Sequence, residues 1–269
     1  MKRSERLVGL VNYFLNNPHE RVQLSRFTER YKSSKSSISE DLDIVNDMFK
    51  YEGIGELTRV SGATGGVVYK PSYTKETNMK IINKMCEKLA DPSRILPGGY
   101  LYMSDLLGDP KMVKEIGRIF ISQFKDIKID AVVTVETKGI PLAYAVANEL
   151  NVPVVIIRRD PKVTEGSSVS INYVSGSSRR IQTMVLSKRN LKENLNVCII
   201  DDFMKAGGTI NGMIDLLTEF KAKVVAIGVL AEAEDEEDER VVNNYISLLN
   251  VNYVDAKLKK IQVETGSIY

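Results

Sequence analysis

The run Val197-Cys198-Ile199-Ile200-Asp201-Asp202-Phe203-Met204-Lys205-Ala206-Gly207-Gly208-Thr209 decides how this chain folds. Its apolar opening, 197–200, has the pattern of a strand buried on both faces. Asp201 and Asp202 follow where that strand is expected to end, and Gly207-Gly208-Thr209 make a tight turn. Beyond it Ile210, Met213, Ile214 and Leu217 recur at helical spacing. Strand, acidic edge, loop and helix in that order aim the backbone N–H groups of 205–209 and the Thr209 hydroxyl at one point. That point lies at the positive end of a helix, which makes it an anion site. The two carboxylates cannot take the anion themselves; they suit vicinal sugar hydroxyls or the water shell of Mg²⁺.

Working outward, the same alternation fills the C-terminal two thirds. Strands are expected at 131–135, 154–157, 197–200 and 224–230, with helices at 81–89, 110–124 and 140–150 between them. Such alternation specifies an α/β domain with a parallel sheet covered on both faces, whose ligands gather at the C-terminal strand ends. Glu136, Thr137, Lys138 and Gly139 leave the first of these strands in a small turn suited to a diphosphate. Arg158 and Arg159 end the next, and Arg158 is the better candidate to face the same crevice. Residues 100–104 are expected to be a strand carrying Tyr102 at its end. The serine- and glycine-rich stretch 160–180 is expected to be a long polar lid loop, and the acidic run 232–239 a solvated loop.

Residues 1–72 read differently. Leu7, Leu10, Val11, Phe14 and Leu15 share one helical face from residue 6 to Asn16, and Leu24, Phe27 and Tyr31 make a shorter helix. Ser37 and Glu40 match a capping box ahead of Ile38, Leu42, Val45 and Phe49. Segments 56–60 and 67–70 flank a glycine-rich tip and form a hairpin. Three helices and a hairpin resemble a winged helix-turn-helix, which reads double-stranded DNA with its third helix and its wing. Lys35, Ser36, Ser37 and Ser39 would then meet phosphates and base edges. Lys2, Arg3 and Arg6 would form a basic arm, and Arg59 and Lys70 would flank the wing. Glu40, Asp41, Asp43 and Asp47 restrict close approach to the first turn of the third helix. Residues 71–74 read as the linker, giving domains 1–72 and 73–269.

The 269 residues carry a formal charge of +2, so a nucleic-acid surface must come from local clustering. No apolar run approaches the ~18–20 residues of a membrane span. Cys86 and Cys198 suit the core of a reduced, cytoplasmic protein, and the single His19, beside Pro18 in a turn, leaves no zinc site or histidine-based triad.

The 197–209 stretch resembles the phosphoribosyl pyrophosphate (PRPP) motif of the type I phosphoribosyltransferases, and 136–139 resembles their pyrophosphate loop. Joined to a winged helix-turn-helix, the whole chain resembles the purine operon repressors of Gram-positive bacteria, most closely over 33–41, 94–100, 137–143, 162–176 and 199–212. The resemblance implies a homodimeric repressor of purine synthesis genes, for which PRPP is an inducer that weakens operator binding. It implies that Asp201 and Asp202 hold the ribose hydroxyls and that Phe203, Met204, Lys205, Ala206, Gly207, Gly208 and Thr209 form the 5′-phosphate loop. Glu136, Thr137, Lys138 and Gly139 would face the pyrophosphate with Arg158 nearby, and Tyr102 would stack on a ring or meet a phosphate. Mg²⁺ would arrive with PRPP and not on side-chain ligands. Several purine phosphoribosyltransferases keep an acid three positions after the second acid of the motif; here that position is Lys205. A cation there favours binding over turnover, against the alternative of an active purine phosphoribosyltransferase with an accessory domain. Two anion loops one ribose apart also suit guanine nucleotides with two phosphate clusters, such as ppGpp, in competition with PRPP.

Overall fold

The computed structural model describes residues 1–62, 65–97, 100–161, 166–174, 181–233, 240–255 and 257–269. The N-terminal part consists of α1 (Arg3–Asn16), α2 (Leu24–Tyr31), α3 (Lys35–Tyr51) and the antiparallel hairpin β1 (Gly55–Val60) and β2 (Gly66–Pro71). Leu10, Phe14, Phe27, Ile38, Leu42 and Phe49 close its core beneath Val67 and Tyr69 of β2. This is the expected helix-turn-helix with a wing. The N-cap of α3 is Ser34, whose side chain accepts from Ser37 N at 3.1 Å, so the capping box expected at Ser37 is corrected. Ser34 stands at the capping distance from Ser37, which places Lys35 and Ser36 on the helix itself.

The larger part begins with α4 (Lys75–Leu89), N-capped by Thr74, and continues through α5 (Ser104–Leu107) and α6 (Pro110–Gln123). Residues 100–104 are not a strand. Arg94 pairs with both oxygens of Asp105 at 2.7 Å and donates to Tyr102 O at 3.0 Å, while Tyr102 N donates to Arg94 O. The loop therefore closes on itself, and a single bridge from Leu101 to Ile95 is the extended pairing there.

The sheet order is β10-β9-β8-β7-β3-β4, from β3 (Ala131–Val135), β4 (Val154–Ile157), β7 (Asn196–Met204), β8 (Lys223–Ala233), β9 (Ile246–Asp255) and β10 (Lys260–Thr265). All neighbours are parallel except β10 with β9. Alternate residues of β7 point to opposite faces. Cys198 and Ile200 enter the core shared with α4, α6 and α7 (Ile140–Leu150). Val197 and Ile199 enter the core shared with α8 (Gly208–Thr218).

The expected lid loop holds a strand, β5 (Ser168–Val174), which pairs antiparallel with β6 (Ile181–Ser187) just beyond it. Its serines mask a period of two: Val169, Ile171 and Tyr173 turn toward α8, where Tyr173 packs on Gly212. Residues 162–165 and 175–180 of that stretch lie outside the described residues, as do 234–239 of the acidic run. Glu232 corrects the solvated reading of that run, because it is buried in β8. Among the described residues no helix is long and apolar enough to cross a membrane.

The wing packs on the larger part. Tyr69 is buried and donates to Ile54 O at 2.7 Å; burial pushes its phenol up to about 12. Tyr73 N donates to Ser122 Oγ, and its ring lies 5.3 Å from the Arg118 guanidinium. Arg118 of α6 and Glu149 of α7 are both buried and paired at 2.9 Å. Lys125–Glu56 at 3.3 Å is the exposed counterpart. Removing one member of a buried pair strands the other charge, whereas an exposed pair contributes little. Glu149→Ala is expected to lower the unfolding free energy by about 3 kcal/mol and Lys125→Ala by about 0.5 kcal/mol. Chemical denaturation of the two variants checks the contrast.

Candidate functional site

The acid pair lies inside β7 and not beyond its end, a correction with a simple cause. β8 runs alongside as far as Ala233 and keeps pairing, Asp201 with Val229 and Phe203 with Ala231. Pairing of β7 with β3 stops at Ile199 opposite Val133. The acids therefore sit one step past the place where a neighbouring strand has turned away, so one side of β7 opens there.

The chain leaving β3 fills part of that opening. Gly139, the N-cap of α7, lies so close that a Cβ on it would stand 2.3 Å from Thr134 Oγ1 and 3.1 Å from Asp201 Oδ1. Glycine is required by this approach, which brings the 136–139 turn and the acid pair into one crevice. Neither α7 nor α8 has a side-chain N-cap, a property they share with α1, α2 and α5, whereas α3, α4 and α6 have Ser34, Thr74 and Asp109. Two helix N-termini thus offer their N–H groups without a side-chain cap, the arrangement that attracts anions. The Glu136–Thr137 peptide bond is cis.

Burial pushes the Asp201 carboxyl well above the usual range, the Asp202 charge adds to this, and Arg159 opposes it. Asp202 is also raised by burial, with Lys138 and Arg159 acting against the shift. Asp202 N donates to Asp201 Oδ1 at 2.9 Å. The Arg159 charge therefore acts on both acids. Arg158 Nη1 donates to Glu136 Oε2 at 3.2 Å, and Glu136 Oε1 accepts from Arg159 N at 2.7 Å. The backbone of Arg158 also pairs with Val185 of β6.

Thr137, Lys138 and Lys205 are exposed at the crevice, and Gly208 and Thr209 open α8. Ala206 and Gly207 are buried, Gly207 at a φ of +87°. The side chains of Phe203 and Met204 pack against the cores on the two faces of the sheet. Tyr102 is exposed on the loop held by Arg94, not at a strand end.

The N-terminal candidates divide likewise. Lys2, Lys35 and Ser36 are exposed, and Ser34 Oγ lies 2.9 Å and 2.8 Å from the hydroxyls of Ser36 and Ser37. Arg3 and Arg6 do not form a free arm. Their Nε atoms bind the two oxygens of buried Asp41 at 2.9 Å and 2.8 Å, and the Arg6 side chain is 13% exposed. Arg59 reaches from the wing to Asp43 at 2.6 Å and to Ser39 Oγ at 2.9 Å, tying β1 to α3. Lys70 stands opposite Glu56 in the hairpin register, and its Nζ lies 4.0 Å from Asp126 Oδ1. Arg30 and Lys32 are also exposed, beside the turn into α3.

With this geometry in hand, the comparisons with known proteins are direct. Residues 2–71 match the family model of the bacterial purine repressor N-terminal domain, and 103–265 match the phosphoribosyl transferase domain. The chain is 57% identical over 266 residues to the purine biosynthesis transcriptional repressor PurR of Bacillus subtilis (strain 168), covering 99% of this chain and 93% of that protein. The chain belongs to the family of bacterial purine biosynthesis regulators. A relative described as a transcriptional activator, from Lactococcus lactis subsp. lactis (strain IL1403), is 43% identical over 269 residues, covering 100% of this chain and 99% of that one. The adenine phosphoribosyltransferase structure from Thermoanaerobacter pseudethanolicus superposes with a TM-score of 0.54 at 20% identity, over 62% of this chain and 98% of that one. That likeness establishes the type I phosphoribosyltransferase fold of the family's C-terminal domain.

Two outcomes are expected. An Asp201→Asn substitution keeps an oxygen for Asp202 N but removes a buried charge. Folded-state carboxyls raised above their unfolded values make the protein lose stability as pH rises from the ordinary carboxylate range through the raised values. Asp201→Asn should therefore unfold at a higher temperature than the parent at pH 7, with the gap closing at pH 4; melting curves across that range check it. On the N-terminal side, Lys35→Ala should lower the salt slope of DNA binding by about one phosphate contact. Arg6→Ala should lower thermal stability and leave the slope nearly unchanged, because its charge is already bound to Asp41.

Proposed function

We propose that the chain is a homodimeric, cytoplasmic DNA-binding repressor of purine biosynthesis genes, and that PRPP acts as inducer from the phosphoribosyltransferase-like crevice. The observation that carries this reading is the N-terminus of α7 standing against an acid pair, Asp201 buried and Asp202 half-buried, from which the chain runs directly into the N-terminus of α8. Two anions joined through a diol match that pattern in PRPP. The 5′-phosphate would lie on the N–H groups of 205–209, the pyrophosphate at Thr137, Lys138 and Gly139, and the ribose hydroxyls on Asp201 and Asp202. Carboxylates flanked by Lys138 and Arg159 also suit the water shell of an Mg²⁺ carried in with the pyrophosphate. Lys205 places a cation beside the phosphate loop and offers no base to a purine, which favours sensing over transfer. Guanine nucleotides bearing two phosphate clusters, ppGpp among them, share the required spacing and would compete.

Induction requires that PRPP bind more tightly to the form with low DNA affinity. Anisotropy of labelled purine-promoter DNA, titrated with PRPP–Mg²⁺ at fixed salt, is expected to show tight binding that PRPP releases. Lys138→Ala and Lys205→Ala should each weaken PRPP about tenfold, roughly 1.4 kcal/mol, without changing DNA affinity in its absence. Parent-like PRPP binding by both variants would place the ligand elsewhere. The match of 103–265 to the transferase domain favours a second reading, an active purine phosphoribosyltransferase. That reading requires nucleobase-dependent release of pyrophosphate, measurable on the same preparation.

A further inference from the structure

The segment 240–242 crosses the phosphate loop. Val241 N donates to Ala206 O at 3.0 Å. A Cβ on Gly207 would stand 3.1 Å from Val242 Cγ2, and Val242 is buried in the core shared with α8. An Ala-Gly-Gly sequence has little side-chain surface with which to hold its own shape, and glycine visits many backbone conformations. The conformation of residues 206–208 therefore depends on what lies across them.

A buried carboxylate joins Val242 in anchoring that crossing segment. Glu232 is buried on β8, in register with Met204 at the start of the phosphate loop. It accepts from Tyr245 Oη at 2.5 Å and from Ser247 Oγ, and it pairs with Arg240 Nη1 at 2.7 Å. Arg240 Nη1 also donates to Tyr245 Oη. Of these donors, Ser247 stands on β9 and Tyr245 directly precedes it, so both belong to the sheet. Arg240 stands on the crossing segment. The ion pair is thus the tie between the sheet and the strap over the loop.

We propose that Arg240 and Glu232 are positioning residues for the phosphate-bearing ligand: their pair fastens 240–242 across Ala206 and Gly207 and holds the backbone N–H groups of 206–209 in the anion-binding arrangement. The inference rests on the reading that this loop takes the phosphate of PRPP, and it adds the reason the loop is ready before ligand arrives. A loop ordered in advance spends less binding free energy on ordering. Without Arg240, Glu232 keeps two hydroxyl donors, so the variant is expected to fold.

The test uses the full chain with Arg240→Ala and Arg240→Lys. In Arg240→Ala, amide hydrogen exchange across 205–210 should speed at least tenfold while core amides of β7 and β8 keep parent rates. PRPP–Mg²⁺ affinity by calorimetry should fall about tenfold, with DNA affinity in the absence of ligand unchanged. Arg240→Lys, which keeps the charge, should recover part of both losses. Parent-like exchange at 205–210 in Arg240→Ala overturns the latch, and so does faster exchange with parent-like PRPP affinity. Exchange that speeds equally everywhere makes the pair a general stabiliser and overturns it too. Parent protein that binds no PRPP defeats the sensing reading instead, and the exchange rates still decide whether the strap holds the loop.

Discussion

The contact between Gly139 and Asp201 is the constraint on which the crevice depends. Asp201 is buried within the central strand, beside a second carboxylate, in a setting that disfavours its charge. The turn at 136–139 closes over it, and a Cβ at 139 would crowd Asp201 Oδ1 at 3.1 Å and collide with Thr134 Oγ1 at 2.3 Å. Every other feature of the site follows from that approach: α7 begins there, the pyrophosphate-type turn faces the acids, and Lys138 and Arg159 lend them positive charge. Local destabilisation of this kind is common where a protein holds groups for a ligand that completes the charge balance.

The winged domain uses a buried carboxylate for the opposite purpose. Asp41 is wholly buried on α3 and consumes the charges of Arg3 and Arg6, fastening α1 across α3. Arg59 is spent on Asp43 and Ser39, which fixes the wing against the same helix. Cations that look available in the sequence are therefore internal ties, and the outward charge near the start of α3 comes from Arg30, Lys32 and Lys35. A face built this way can approach phosphates at the first turn of α3 while its acidic remainder stays at a distance.

Between the two sites runs a continuous path of packed elements. α7 starts at the Gly139 turn and ends beside Glu149, which pairs with Arg118 of α6. Gly117 of α6 lies against the backbone of Ala145, so these helices touch closely, and Tyr73, which follows the wing strand β2, lies against Arg118 and donates its N–H to Ser122 of α6. Thermodynamic coupling needs such elements to have two arrangements with different affinities at the two ends. The same polar joint that stabilises the fold is the material through which that difference would act.

Periodicity and motif order determined the fold class, the winged domain, the sheet strands from 131 to 230 and the place of the PRPP-type loop. These rest on local rules: apolar residues every second or every third and fourth position, and glycine where the backbone must turn. Residues 168–174 were misread because serines hid an alternation that only packing on α8 makes visible, and residues 100–104 because Arg94 and Asp105 close a loop that local pattern cannot foresee. Which cations are held by internal counter-charges was equally outside the reach of the sequence. The pairing of Arg6 with Asp41, that of Arg158 with Glu136, and the burial of Glu232 within an acidic run were decided by partners far away in the chain. Charge in a sequence has a sign and a position, but its use depends on the counter-charge that folding brings within about 3 Å, and only the tertiary structure supplies that.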